Sequence, residues 1–170
     1  MNLVTISIII ATTIFVAYNA VSLVLYGIPH SLSMTFYYYK AKWNKGFVFP
    51  LMMYLVVAFM MPAWITMSEG SNFQFLAFLA PAAIAFVGTA PAFLSSDLEN
   101  MVHSASAAIA AACSLLWVIL VTPYWWTILA FLGLIALAAF LTKTYKTSYI
   151  YWLEMIAFGA TFTAAIMYSL

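Results

Sequence analysis

The stretch LVTISIIIATTIFVAYNAVSLVLY, residues 3–26, runs without a single Asp, Glu, Lys or Arg. About 20 mostly apolar residues suffice for a helix to cross the hydrocarbon core of a bilayer, so this run reads as a membrane span. A transmembrane strand would be shorter and would alternate apolar with polar side chains; here the apolar character is continuous. No basic residue precedes the run, and it outlasts the apolar core of a signal peptide. It is therefore expected to be a retained first span.

Five further segments repeat the pattern, at about 48–67, 73–94, 99–121, 124–142 and 148–169, separated by GIPHSLSMTFYYYKAKWNKG, SEGSN, SSDLE, TPYW and KTYKTS. The expected fold is all-α: one domain over residues 1–170, a polytopic bundle of six transmembrane helices. Composition agrees, since 68% of the 170 residues are hydrophobic and only 5% charged. A small soluble globule cannot hide so much apolar surface. A net charge of +1 gives no basic stripe for a nucleic acid. The single cysteine, Cys113, excludes an intramolecular disulfide and a zinc-finger spacing.

The lysines set an orientation. Lys40, Lys42 and Lys45 follow the first span, and Lys143 and Lys146 follow the fifth. In a six-span chain these two loops share a side, which the positive-inside rule makes cytoplasmic, with both termini on the other side. SLSMTFYYYKAKW, residues 31–43, mixes aromatic residues with lysines as an interfacial helix does. Its Tyr37, Tyr38, Tyr39 and Trp43 are expected at headgroup level.

SSDLENMVHSASAAIAAACS, residues 95–114, gathers acids and a histidine at the mouth of a small-residue helix. Ser96-Asp97-Leu98-Glu99 fits a capping box, with Ser96 accepting from the amide three residues on and Glu99 reaching back. The alanines and serines behind it let neighbouring backbones approach. They place this helix centrally and provide faces for packing against partners or further copies of the chain. Pro62, Pro81, Pro91 and Pro123 are expected to kink or end spans.

Polar groups collect at the lysine-bearing end. Asn19 lies about 10 Å below the end of the first span at 1.5 Å per residue, and His30 follows in the loop. Asp97 and His103 open the fourth span, and Glu154 lies about 9 Å into the sixth. An acid within a span is costly and is a functional-site hypothesis by default; its alternative is a helix-locking hydrogen bond, with His103 the expected partner. His30, His103 and Asp97 or Glu154 offer zinc ligands, but without HExxH or paired-His spacing. Ser31 beside His30 lacks a nucleophile elbow. No lysine lies within a span to attach retinal, and two histidines near one rim are poor haem ligands. No cofactor is named by these residues.

The order of elements IPHSLSMTFY, AFVGTAPAF, VHSASAA and YWLEMI resembles the DRAM-like (damage-regulated autophagy modulator-related) family of six-span membrane proteins. The resemblance implies that His103 and Glu154 are the family-like polar positions, and that the role is in membrane-lipid organisation rather than catalysis. The leading expectation is thus a non-enzymatic membrane protein binding a lipid or amphipathic small molecule. Its cavity would face the cytoplasm and be lined by Asn19, His103 and Glu154, with Asp97 and His30 nearby. Two alternatives stand beside it: a membrane-embedded, metal-dependent lipid hydrolase or transferase, and a structural subunit of a membrane complex.

Overall fold

A computed structural model describes residues 2–170, and among these every regular element is helical. The order is α1 (Leu3–Tyr26), a 3₁₀ turn (Leu32–Met34) running directly into α2 (Thr35–Trp43), α3 (Val48–Met67), α4 (Leu76–Thr89), α5 (Asp97–Val121), α6 (Trp126–Leu141) and α7 (Tyr149–Ser169). Four of these, α1, α3, α5 and α7, are long and apolar enough to cross a membrane. The molecule is an all-α bundle of the kind found in polytopic integral membrane proteins.

The helix ends follow local chemistry. Asn2 caps α1 by accepting from the Thr5 amide at 2.8 Å. Gly27, at φ 73°, closes the same helix with its N–H on the Leu23 carbonyl, a left-handed backbone that a β-carbon would disfavour. Ser96 caps α5 as its sequence suggests, its Oγ accepting from the Glu99 amide at 3.2 Å. The reciprocal half of the capping box is not formed: Glu99 turns instead to the hydroxyl of Ser95, which donates to Oε2 at 2.6 Å.

Two of the apolar segments form shorter helices than their hydropathy suggests. The segment expected over 73–94 is helical only from Leu76 to Thr89, about 21 Å at 1.5 Å per residue. Pro91 lies two residues beyond that end, and a proline disfavours the helical conformation of the residue before it. The helix expected over 124–142 runs from Trp126 to Leu141. Pro62 and Pro81, by contrast, sit inside α3 and α4.

Helix α1 packs on α3 and α7, α3 on α4, α4 on α5, and α5 on α7, which closes a five-helix ring. Helix α6 lies outside it against α7. There Gly159 admits the Phe131 ring into a space that a β-carbon would fill. The Thr127 hydroxyl also reaches across to the Ala160 carbonyl at 3.2 Å. Helix α5 belongs to the ring but is not enclosed by it, since Ala105, Ala108 and Ala112 are exposed. In lipid, helices associate through close packing and interhelical hydrogen bonds. This bundle uses both: Trp64 and Trp117 lie fully buried with ring centres 5.3 Å apart, and Trp117 Nε1 donates to Ser68 Oγ at 2.8 Å.

The two ends of the bundle are each stitched. At one, Asn2 Nδ2 and Thr5 Oγ1 donate to the Ser169 carbonyl at 3.2 and 2.9 Å. At the other, the Tyr151 amide donates to the His30 carbonyl at 3.1 Å, and the Leu94 amide to the Tyr37 hydroxyl at 2.7 Å. The lysines of α2 and of the α6–α7 connection flank this second end.

Candidate functional site

The centre of the second end is residues 31–35, Ser-Leu-Ser-Met-Thr. Ser31, Leu32, Ser33 and Thr35 are all buried. A buried turn must satisfy its own polar groups, and here three helices supply the partners. Glu154 of α7 takes the Leu32 amide on Oε2 at 2.6 Å. The Thr35 hydroxyl donates to the Leu32 carbonyl at 2.6 Å and pairs with Tyr18 of α1. Ser33 Oγ pairs with His103 Nε2 of α5 at 2.8 Å. Glu154 therefore sits at the N-terminus of the continuous 3₁₀–α2 helix, where unpaired amides and the helix dipole favour an acidic side chain.

His103 is committed on both nitrogens. Its Nδ1 lies 2.9 Å from the Ala90 carbonyl. A carbonyl can only accept, so Nδ1 carries the hydrogen, and in the neutral ring Nε2 accepts from Ser33. The ring stacks on Phe93 with centres 4.6 Å apart. His103 thus ties the end of α4 and the Ser33 turn to α5. The expected hydrogen bond between His103 and Glu154 is not the one formed. The two side chains instead hold consecutive residues of one turn, Ser33 and Leu32.

Beyond Glu154 a narrow cavity runs into the ring. Its volume, taken as the space open to the centre of a water-sized sphere, is about 60 Å³. Three helices contribute a face at helical spacing: Met53, Val56, Met60 and Trp64 of α3; Ala107, Ala110, Ala111 and Ser114 of α5; and Glu154, Ala157, Phe158, Thr161 and Phe162 of α7. Ile84 and Val87 of α4 complete the wall. The alanines of α5 leave room where larger side chains would close the ring. Glu154 is the one ionisable residue of the lining.

The other sequence candidates lie elsewhere. Asn19 is buried but bonds its own helix, Nδ2 donating to the Phe15 carbonyl at 3.1 Å. Neither Asn19 nor His103 lines the cavity. Asp97 is exposed in the first turn of α5, and the exposed His30 lies edge-on to Tyr149 with ring centres 5.8 Å apart. Among the described residues, no three His, Cys, Asp or Glu gather as metal ligands, so His30, Asp97, His103 and Glu154 do not form the zinc set their types allow.

Sequence reasoning passed over Ser33, Trp64 and Thr161. Nothing in the chain marks Ser33 apart from Ser31 until the turn is folded. Trp64 and Thr161 stand in apolar spans where an indole or a hydroxyl is unremarkable by itself. No family model matches this chain, and no curated protein or solved structure does either, so the likeness to the DRAM-like family rests on the quoted motifs alone.

Proposed function

We propose that the chain is a six-span membrane protein that holds an amphipathic small molecule, such as a lipid, in the cavity between α3, α4, α5 and α7. The observation that carries this reading is a slot with apolar walls and a single carboxylate, Glu154, at one end. Binding sites of this class are concave and mainly apolar, with few polar groups to fix orientation. Glu154 receives the donor groups of the ligand's head, and the chain lies along the alanine face of α5. The shorter α4 and α6 complete the six spans with their flanking turns, and α2 lies at the interface beside Lys40, Lys42 and Lys45. The lysine-bearing loops face the cytoplasm, as the positive-inside rule requires. His103 acts as a support for the turn that Glu154 caps.

The test is native mass spectrometry of the purified chain. An amphiphile should co-purify with it, be depleted by Glu154→Gln, and be excluded by Ala111→Leu, which fills the slot. Identical lipid content in all three proteins would refute the reading.

A second reading, a lipid hydrolase, draws on the 2.8 Å pair of Ser33 Oγ and His103 Nε2, the contact by which a histidine activates a serine. It requires Ser33 to be reached by substrate, whereas Ser33 is buried and outside the cavity lining. Fluorophosphonate labelling that is lost in Ser33→Ala would establish it, and an unlabelled chain would dismiss it.

A further inference from the structure

Two residues of the cavity lining each bury a polar atom that has no partner among the described residues: Trp64 Nε1 and Thr161 Oγ1. Both residues are almost fully enclosed, at 2% and 4% exposure. A buried donor without an acceptor costs free energy and is rare in folded proteins. The Tyr26 hydroxyl apart, comparable groups among the described residues have partners. The hydroxyls of Thr12, Thr13, Thr89, Thr122 and Thr142 each donate to the carbonyl four residues back. Ser114, in the same cavity wall, bonds the Ala110 carbonyl. The neighbouring indole of Trp117 is paired with Ser68. Thr161 makes no such back-bond, and Trp64 has no hydroxyl to meet it.

We infer that Trp64 Nε1 and Thr161 Oγ1 form a second polar contact in the cavity, which takes an acceptor oxygen carried within the apolar body of the ligand. This rests on the proposed function and narrows it. An indole N–H can only donate and a threonine hydroxyl can donate as well, so the matching group is a hydroxyl, ketone, ester or quinone oxygen. Thr161 is seven residues beyond Glu154, on the same face of α7 and about 10 Å further along at 1.5 Å per residue. The ligand class is therefore a lipid with a donor-bearing head at Glu154 and a second oxygen roughly 10 Å into its chain. A simple saturated chain leaves both donors unmet. The narrow slot favours a slender molecule over a bulky fused-ring one.

The experiment uses the full chain, stripped of lipid in detergent, with octadecan-1-ol and octadecane-1,10-diol as probes and binding read by thermal shift and native mass spectrometry. The wild type should prefer the diol about ten-fold. Thr161→Val, which keeps shape and removes a donor, and Trp64→Phe, which removes a donor along with part of the ring, should each erode that preference about five-fold, the scale of one neutral hydrogen bond. Octadecan-1-ol affinity measured in the same variants is the baseline for that preference, and Thr161→Ser should retain it. Thr161→Val should also raise the melting temperature of the stripped protein, because it removes an unmet polar group. Equal affinity of the wild type for the two alcohols would overturn the inference, as would a lower melting temperature for stripped Thr161→Val, since the hydroxyl would then be satisfied already. If octadecan-1-ol still binds in a Glu154-dependent way, the proposed function survives that failure. If neither alcohol binds the wild type, both readings fall.

Discussion

Glu154 and His103 do not touch, yet each should matter to the other because they hold adjacent residues of one buried turn. Replacing Glu154 by Ala leaves the Leu32 amide without its 2.6 Å acceptor and enlarges the cavity beside it. An orphaned buried donor costs about 1–3 kcal/mol, and with the lost side-chain packing the expected destabilisation is about 3 kcal/mol. Glu154→Gln keeps an acceptor oxygen of the same reach, so its cost should be nearer 1 kcal/mol, in line with the modest worth of hydrogen bonds inside membrane bundles. His103→Ala removes contacts to Ala90 and Ser33 and the stack on Phe93, again about 3 kcal/mol. Once either anchor is gone the turn can shift, and the second loss is then felt less. The double variant Glu154→Ala/His103→Ala should fall short of the sum by about 1 kcal/mol, as residues sharing a partner element do. Reversible unfolding in mixed detergent micelles measures each corner of the cycle. Additivity within about 0.5 kcal/mol would show that the turn transmits nothing, and the account of Glu154 and His103 as paired anchors would fail.

The seating of α6 gives a second prediction. Gly159→Ala places a β-carbon where the Phe131 ring now lies, so it should destabilise the α6–α7 contact by about 1–3 kcal/mol, and Gly159→Ala/Phe131→Ala should recover part of that loss; an innocuous Gly159→Ala would show that the contact is loose. Sidedness gives a third. In a Cys113→Ala background, a cysteine at Asn72 should react with an impermeant maleimide on intact cells and one at Thr147 should not, and the reverse pattern would invert the orientation.

Much of the architecture is legible in the residues alone, because a bilayer demands long uncharged helices and the chain supplies them between short polar separators. The cap at Ser96 is equally local: a serine three residues before Glu99 meets its amide whatever the rest of the fold does. The lengths of α4 and α6 are less so, since hydropathy measures apolar content and says little of where the backbone turns. The candidate site divides in the same way. Glu154 stands out in the sequence because an acid within a span is expensive. Its partner does not, because the Leu32 amide comes from a turn 122 residues away in the chain. His103 is conspicuous for the same reason as Glu154, but only packing shows that both its nitrogens are occupied by Ala90 and Ser33. The cavity is a property of tertiary structure altogether. Alanine at 107, 110 and 111 reads in one dimension as a surface for close approach, and in the folded ring the same small side chains leave a slot. Whether a tryptophan N–H or a threonine hydroxyl is satisfied depends on which atoms neighbouring helices bring within reach, and no spacing along the chain encodes that.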